Sequence, residues 1–118
     1  MRYFEIQIPV KPNNAFDSKS NVKPNVRFDS EKGWLFVDSL HDEFEDFLLG
    51  RANGYSKLPQ ISGVWKDLVD NTIYYDEMIP YRFATADNEI VNRIVDFAKE
   101  HYEQIAIFIA EIGTAQII

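Results

Sequence analysis

The chain has 118 residues, 46% of them hydrophobic and 14% aromatic, with no cysteine and a formal net charge of −7. That length suits one domain around one core, and the apolar content lies far from the low-hydrophobicity, high-charge regime of disordered chains. The absence of cysteine excludes disulfides, thiol nucleophiles and cysteine-ligated metal sites.

Charge is unevenly spread. Residues 11–33 hold Lys11, Lys19, Lys23, Arg27 and Lys32 against Asp17, Asp29 and Glu31, a balance of +2, so the remainder carries −9. A surface of that sign repels phosphate backbones and anionic membranes, which argues against direct nucleic-acid or membrane binding. Met1 to Val10 contains Glu5 and Gln7 and lacks the apolar centre of a signal peptide. No apolar run approaches the roughly eighteen residues of a membrane span, so the expected location is cytoplasmic.

In Tyr3 to Val10, Phe4, Ile6, Ile8 and Val10 alternate with Tyr3, Glu5, Gln7 and Pro9, which predicts a strand with one face on the core. Residues 11–33, with four asparagines and two prolines and no sustained period, read as one long polar loop of the kind that is functional or mobile. Trp34 to Val37 is a short apolar run, either a strand or the lead-in to a helix. "DSLHDEFEDFLLGR" then predicts a helix with Leu40, Phe44, Phe47 and Leu48 on one stripe, capped by Asp38 or Ser39 and stopped by Gly50 or Gly54.

"KLPQISGVWK" is a strand candidate, and Asp70 and Asn71 supply a turn before extended structure resumes at Ile73. Because Pro80 has no N–H to give a ladder, the main strand is expected to begin at Ile79 or Pro80, with Tyr74 to Met78 a looser extension or bulge. Ile90, Val91, Ile94, Val95, Ala98 and Tyr102 recur at helical spacing behind a capping Asp87, with Glu89 and Arg93 as an i,i+4 pair. "QIAIFIAEI" predicts a last strand with apolar residues on both faces, and "AQII" a short edge strand after Gly113.

The order strand, helix, strand, strand, helix, strand is the ferredoxin-like βαββαβ plan, an α+β single domain spanning 1–118. In that plan two helices cover one face of a four-stranded antiparallel sheet, with the long loop after the first strand. The other sheet face is left open and partly apolar, to be covered by a second subunit, a ligand or the 11–33 loop.

The motifs "SGVWKD", "YYDE", "PYRF" and "HYEQIAIFI" place Gly63, Trp65, Asp67, Tyr75, Asp76, Tyr81, Tyr102 and Gln104 in a loose pattern. Over residues 55–118 this pattern resembles a group of small bacterial and phage-type proteins of unknown function. The resemblance implies the same fold plan and no particular activity.

Two groups of residues are candidate sites. Trp65, Tyr75, Asp76 and Arg82 would form a ligand pocket if the aromatics stacked on a flat molecule, Asp76 served as a base and Arg82 held an anion. The plainer reading makes Trp65 and Tyr75 cross-strand packing partners and Asp67 and Asp76 turn residues. Asp42, Glu43, Glu45 and Asp46 would form a partner-binding acidic helix face, although the solvated N-terminal half of a helix selects the same residues. His41 and Glu45 stand at metal-binding spacing, but two histidines so far apart in sequence make no metal set. His101 is expected to interact with the C-terminal end of its own helix. No phosphate loop, nucleophile elbow or cofactor signature is present, so no cofactor is expected and no catalytic residue is assigned.

The favoured reading is a non-catalytic, acidic protein-interaction module that self-associates as a homodimer through the open sheet face or an edge strand, or engages a basic protein partner. Two alternatives stand beside it: a small-ligand binder or minor enzyme with a pocket near residues 63–82, and an acidic inhibitor that mimics nucleic acid.

Overall fold

The structure, a computed structural model, describes residues 1–12, 25–116 and 118. Its elements run β1 (Arg2–Pro9), β2 (Val26–Asp29), β3 (Gly33–Phe36), α1 (Asp38–Ala52), β4 (Ser56–Lys57), β5 (Ile61–Lys66), β6 (Ile73–Thr85), α2 (Asn88–His101) and β7 (Phe108–Thr114). β6 pairs antiparallel with β1, and β1 pairs antiparallel with β7. On the other edge of β6 lie both β4 and β5, each pairing with a different part of it. With β4 and β5 taken as one interrupted strand, this is the ferredoxin-like arrangement the element order predicts.

The alternation in β1 sets the core. Phe4, Ile6 and Ile8 face Phe83, Tyr81 and Ile79 across the β1–β6 ladder. These side chains pack against Phe44 and Leu48 of α1 and Ile94 and Ala98 of α2, all nearly or fully buried except the partly buried Ile79. Both helices therefore lie on one face of the sheet. Between them, Phe47 and Phe97 stack nearly parallel with ring centroids 4.0 Å apart.

Five expectations are corrected. Within the predicted loop 11–33, residues 13–24 lie outside the described residues, but Val26–Asp29 is a strand that pairs with Gly33–Phe36 as a separate hairpin. Phe36 N–H donates to the Val10 carbonyl, and the Phe36 ring meets Tyr102 edge-on at 5.2 Å. Residues 25–36 thus join the helix side of the core and do not cross the open sheet face.

The helix signals are also displaced. Val37, with no side-chain cap, precedes α1 in place of Asp38 or Ser39. Gly50 lies inside the helix, and Asn53 ends it with φ 62°, its N–H donating to the Leu49 carbonyl. Asparagine tolerates this left-handed conformation because its short side chain can hydrogen-bond locally.

Pro80 does not delay β6, which runs without a break from Ile73 to Thr85. The Pro80 carbonyl accepts from Leu58 N–H, so Pro80 presents its backbone to the outer edge, where a missing N–H disrupts the neighbour and spares β6 itself. There the neighbour is interrupted: Lys57 faces Tyr81 and Ile61 faces Met78, with Pro59 and Gln60 bulging between them. Finally, β7 continues through Gly113 to Thr114, and the residue after it, Ala115, donates to the Met1 carbonyl, so "AQII" adds no further strand among the described residues.

Candidate functional site: a hairpin arm continuous with the open sheet face

β1 ends opposite Met78, and Val10 N–H still reaches the Glu77 carbonyl. Beyond that point β5 and β6 continue alone as a two-stranded arm. Asp67 builds its tip: its backbone N–H donates to the Thr72 carbonyl, its carbonyl accepts from Asn71, and its carboxylate accepts from Val69 N–H at 2.8 Å. The Asp70 carboxylate accepts from Thr72 N–H at 2.9 Å, which holds that carboxyl below the usual range. Asn71 takes the one left-handed position, φ 62°. The Asp70–Asn71 turn read from the sequence is therefore present.

The arm exposes apolar side chains on both faces. Val64, Trp65, Ile73 and Tyr75 are each more than half exposed, and Leu68 and Val69 at the tip are 92% and 95% exposed. Isolated two-stranded hairpins are marginal in water, so such a surface asks for cover. Strand alternation sorts these residues by face. Trp65, Tyr74, Asp76 and Met78 share the face that continues into Pro80, Arg82, Glu5, Gln7 and Phe108, away from the helices. Val64, Ile73 and Tyr75 point to the opposite side.

The sequence-derived ligand set divides accordingly. Trp65 Nε1–H donates to the Asp76 carboxylate at 2.6 Å, and its ring stacks on Tyr74 at 4.5 Å. The cross-strand partner of Trp65 is Tyr74, one residue from the expected Tyr75, which faces the other way. Arg82 is on the Trp65 face but six residues along β6 from Asp76, about 20 Å away at strand spacing. Its Nε–H donates to Glu5 at 3.0 Å. The Glu5 carboxyl is held below its usual range first by the Gln7 side-chain donor, against the opposing effect of desolvation, and then by Arg82. Trp65 and Asp76 thus form one unit, and Arg82 belongs to another.

The acidic helix face also divides. Asp42, Glu43 and Asp46 are exposed, whereas Glu45 turns inward. Its carboxylate accepts from Lys57 Nζ at 2.8 Å, Tyr81 OH at 2.6 Å and Tyr55 OH at 3.2 Å. Desolvation raises its pKa, but the Lys57 and Tyr81 donors outweigh this and hold it below the ordinary value. The Tyr81 hydroxyl is pushed far up, by burial first and then by Glu45. His41 Nδ1 lies 2.8 Å from Tyr102 OH, and burial lowers its pKa and keeps the ring neutral. His41 and Glu45 therefore serve different partners. His101 reaches across to α1, its Nε2 2.8 Å from the Leu40 carbonyl, rather than to the end of its own helix.

Periodicity did not reveal the Glu45 network, because its tyrosines come from a loop and a strand distant in sequence. A lone Tyr55 and Tyr81 carry no signal until the sheet brings them together.

No family model and no curated protein matches this chain. The described architecture is that of a ferredoxin-like α+β protein. Among solved structures, the chain is similar to a point mutant of CutA1 from Pyrococcus horikoshii OT3, with 9% identity and a TM-score of 0.56 over 100% of this chain and 87% of that one. At that identity the likeness establishes the fold. No helix in the described residues is long and apolar enough to cross a membrane.

Proposed function

We propose that this protein is a non-catalytic interaction module that self-associates as a homodimer through the open sheet face and the β5–β6 arm. The arm carries the proposal: on the side continuous with the open sheet face it places Trp65, and at its tip Leu68 and Val69, in water with no covering element among the described residues. Phe108, 54% exposed on β7, extends the apolar surface across the sheet.

Charge distribution supports a second copy as the cover. On the open face Glu5 and Arg82 neutralise one another, and Asp76 is engaged by Trp65. Asp42, Glu43 and Asp46 lie on the helix side, so much of the net −7 does not oppose face-to-face association. The groups with displaced pKa values support a non-catalytic reading, since Glu45, His41 and Tyr81 are held in internal hydrogen bonds.

Light scattering from about 1 to 500 µM tests this; mass-action dissociation of a homodimer is the expected behaviour. A variant carrying Leu68→Ser, Val69→Ser and Phe108→Thr should be monomeric with an unchanged far-UV spectrum. A wild-type chain that stays monomeric across that range would overturn the proposal.

A further inference from the structure

β5 forms the outer edge of the arm, and no strand stands beyond it among the described residues. Asp67 N–H donates to the Thr72 carbonyl, which fixes the hydrogen-bonding phase of the β5–β6 ladder. In that phase Ile61, Gly63 and Trp65 bond to β6, and Ser62, Val64 and Lys66 direct their N–H and C=O groups outward. Every β5 residue except Gly63 is exposed.

Edge strands are commonly blunted by proline, by bulges or by charges. Residues 61–66 contain no proline, and the irregularity at Pro59 and Gln60 lies before them. Their single charge is Lys66, exposed and in no ion pair among the described residues. Gly63 is not required by the arm itself: its backbone is not left-handed, and a Cβ there would meet only the Asp76 carbonyl, at 4.0 Å. Glycine weakens a strand interior, and its presence marks a close approach by another group.

The edge is complementary to itself in one antiparallel register. With Val64 opposite the partner's Val64, ladder bonds form between the two valines and, twice, between Ser62 and the partner's Lys66, because all three residues point outward. Trp65 then lies beside the partner's Gly63, where a side chain would crowd the indole. On the other face the two Val64 side chains, each 66% exposed in the single chain, cover one another. Lys66 meets the partner's Ser62 and, one strand further in the same row, the partner's Glu77, so no like charges are opposed. Centring the pair on Gly63 instead sets glycine against glycine and Val64 against Ser62, and forfeits these contacts.

We infer that the outer edge of β5 is a second self-association surface, through which face-paired dimers join by antiparallel β5–β5 pairing. The inference rests on the proposed face contact. A single edge contact is small beside the roughly 1,200 Å² of a stable interface, so it is weak between monomers. A dimer carries two such edges, and a second contact between the same two dimers forms at high effective concentration. The two-fold axis of the edge pairing is normal to the sheet and leaves the open face uncovered, so both contacts are made at once.

Light scattering and amide hydrogen exchange on the full chain test this. Above about 100 µM the mass should pass that of two chains, and exchange at Ser62, Val64 and Lys66 should slow about threefold between about 20 and 500 µM. Val64→Pro removes an outward N–H and no β5–β6 bond, so it should leave a folded dimer that grows no further. Gly63→Val should do the same by crowding the partner's indole. A wild-type mass that stops at two chains, concentration-independent exchange at these three amides, or larger species retained by either variant would each overturn the inference and leave the face contact standing. A wild-type chain that stays monomeric removes both. Dimers lost with Val64→Pro alone would make the edge the primary contact, against the order of assembly inferred here.

Discussion

Glu45 accepts three hydrogen bonds from Lys57, Tyr81 and Tyr55, and removal of its carboxylate leaves two tyrosine hydroxyls and an ammonium without that acceptor. Glu45→Ala is expected to destabilise the fold by about 2 kcal/mol in urea unfolding, the scale for loss of hydrogen bonds to a charged group. Its folded pKa lies below the unfolded value, so its contribution is complete above the unfolded value of 4.5 and is lost as pH falls through the folded pKa. His41 acts in the same direction. Burial lowers its folded pKa, so stability is complete above the unfolded value of 6.5 and declines as pH falls below it, because unfolding releases an imidazole that protonates more readily. The urea midpoint should therefore fall in two stages between about pH 6.5 and 3, and His41→Phe should remove mainly the upper one. A midpoint flat across that range would contradict both assignments.

At the scale of elements, two asparagines hold left-handed backbone where chain direction changes: Asn53 after α1 and Asn71 at the arm tip, both with φ 62°. Asn53→Ala should cost about 1 kcal/mol and Asn53→Gly should be neutral or stabilising, as measured by thermal unfolding. Asn71→Ala should carry a similar local cost, but with a different readout. The arm contributes little to the core, so hydrogen exchange at Leu68 to Ile73 should quicken while exchange at Ile6 and Tyr81 stays unchanged. Much of this layer was legible in the sequence. Alternation identified β1, the 3.6-residue period identified α1 and α2, and Asp70–Asn71 marked the tip. Pro80 misled because a proline interrupts a ladder only on the edge its nitrogen faces, and which edge that is depends on neighbours that the local sequence does not specify.

For the whole molecule, the longest dimension is 49 Å against 33 and 24 Å for the others. A 13-residue β6 that outruns β1 accounts for that elongation. Because the buried cluster lies between β1, β6 and the helices, replacement of residues 64–75 by a short turn should leave a folded monomer whose unfolding free energy differs from that of the intact monomer by about 1 kcal/mol or less. The same deletion should abolish the concentration-dependent mass change in light scattering. If the truncated chain fails to fold, the arm is part of the core's stability and the division proposed between scaffold and interaction surface is wrong.

The sequence by itself determined the fold plan, the helix-facing side of β1, the capped start of α2 and the one-sided charge. Each of these depends on short-range periodicity or on counting. Tertiary structure alone decided that Glu45 turns inward, that Trp65 stacks on Tyr74, and that Asp76 and Arg82 belong to different ends of one strand. The physical reason is that strand register and the length by which one strand outruns its neighbours are fixed by pairing between distant segments, and a shift of one residue exchanges every side chain between the two faces.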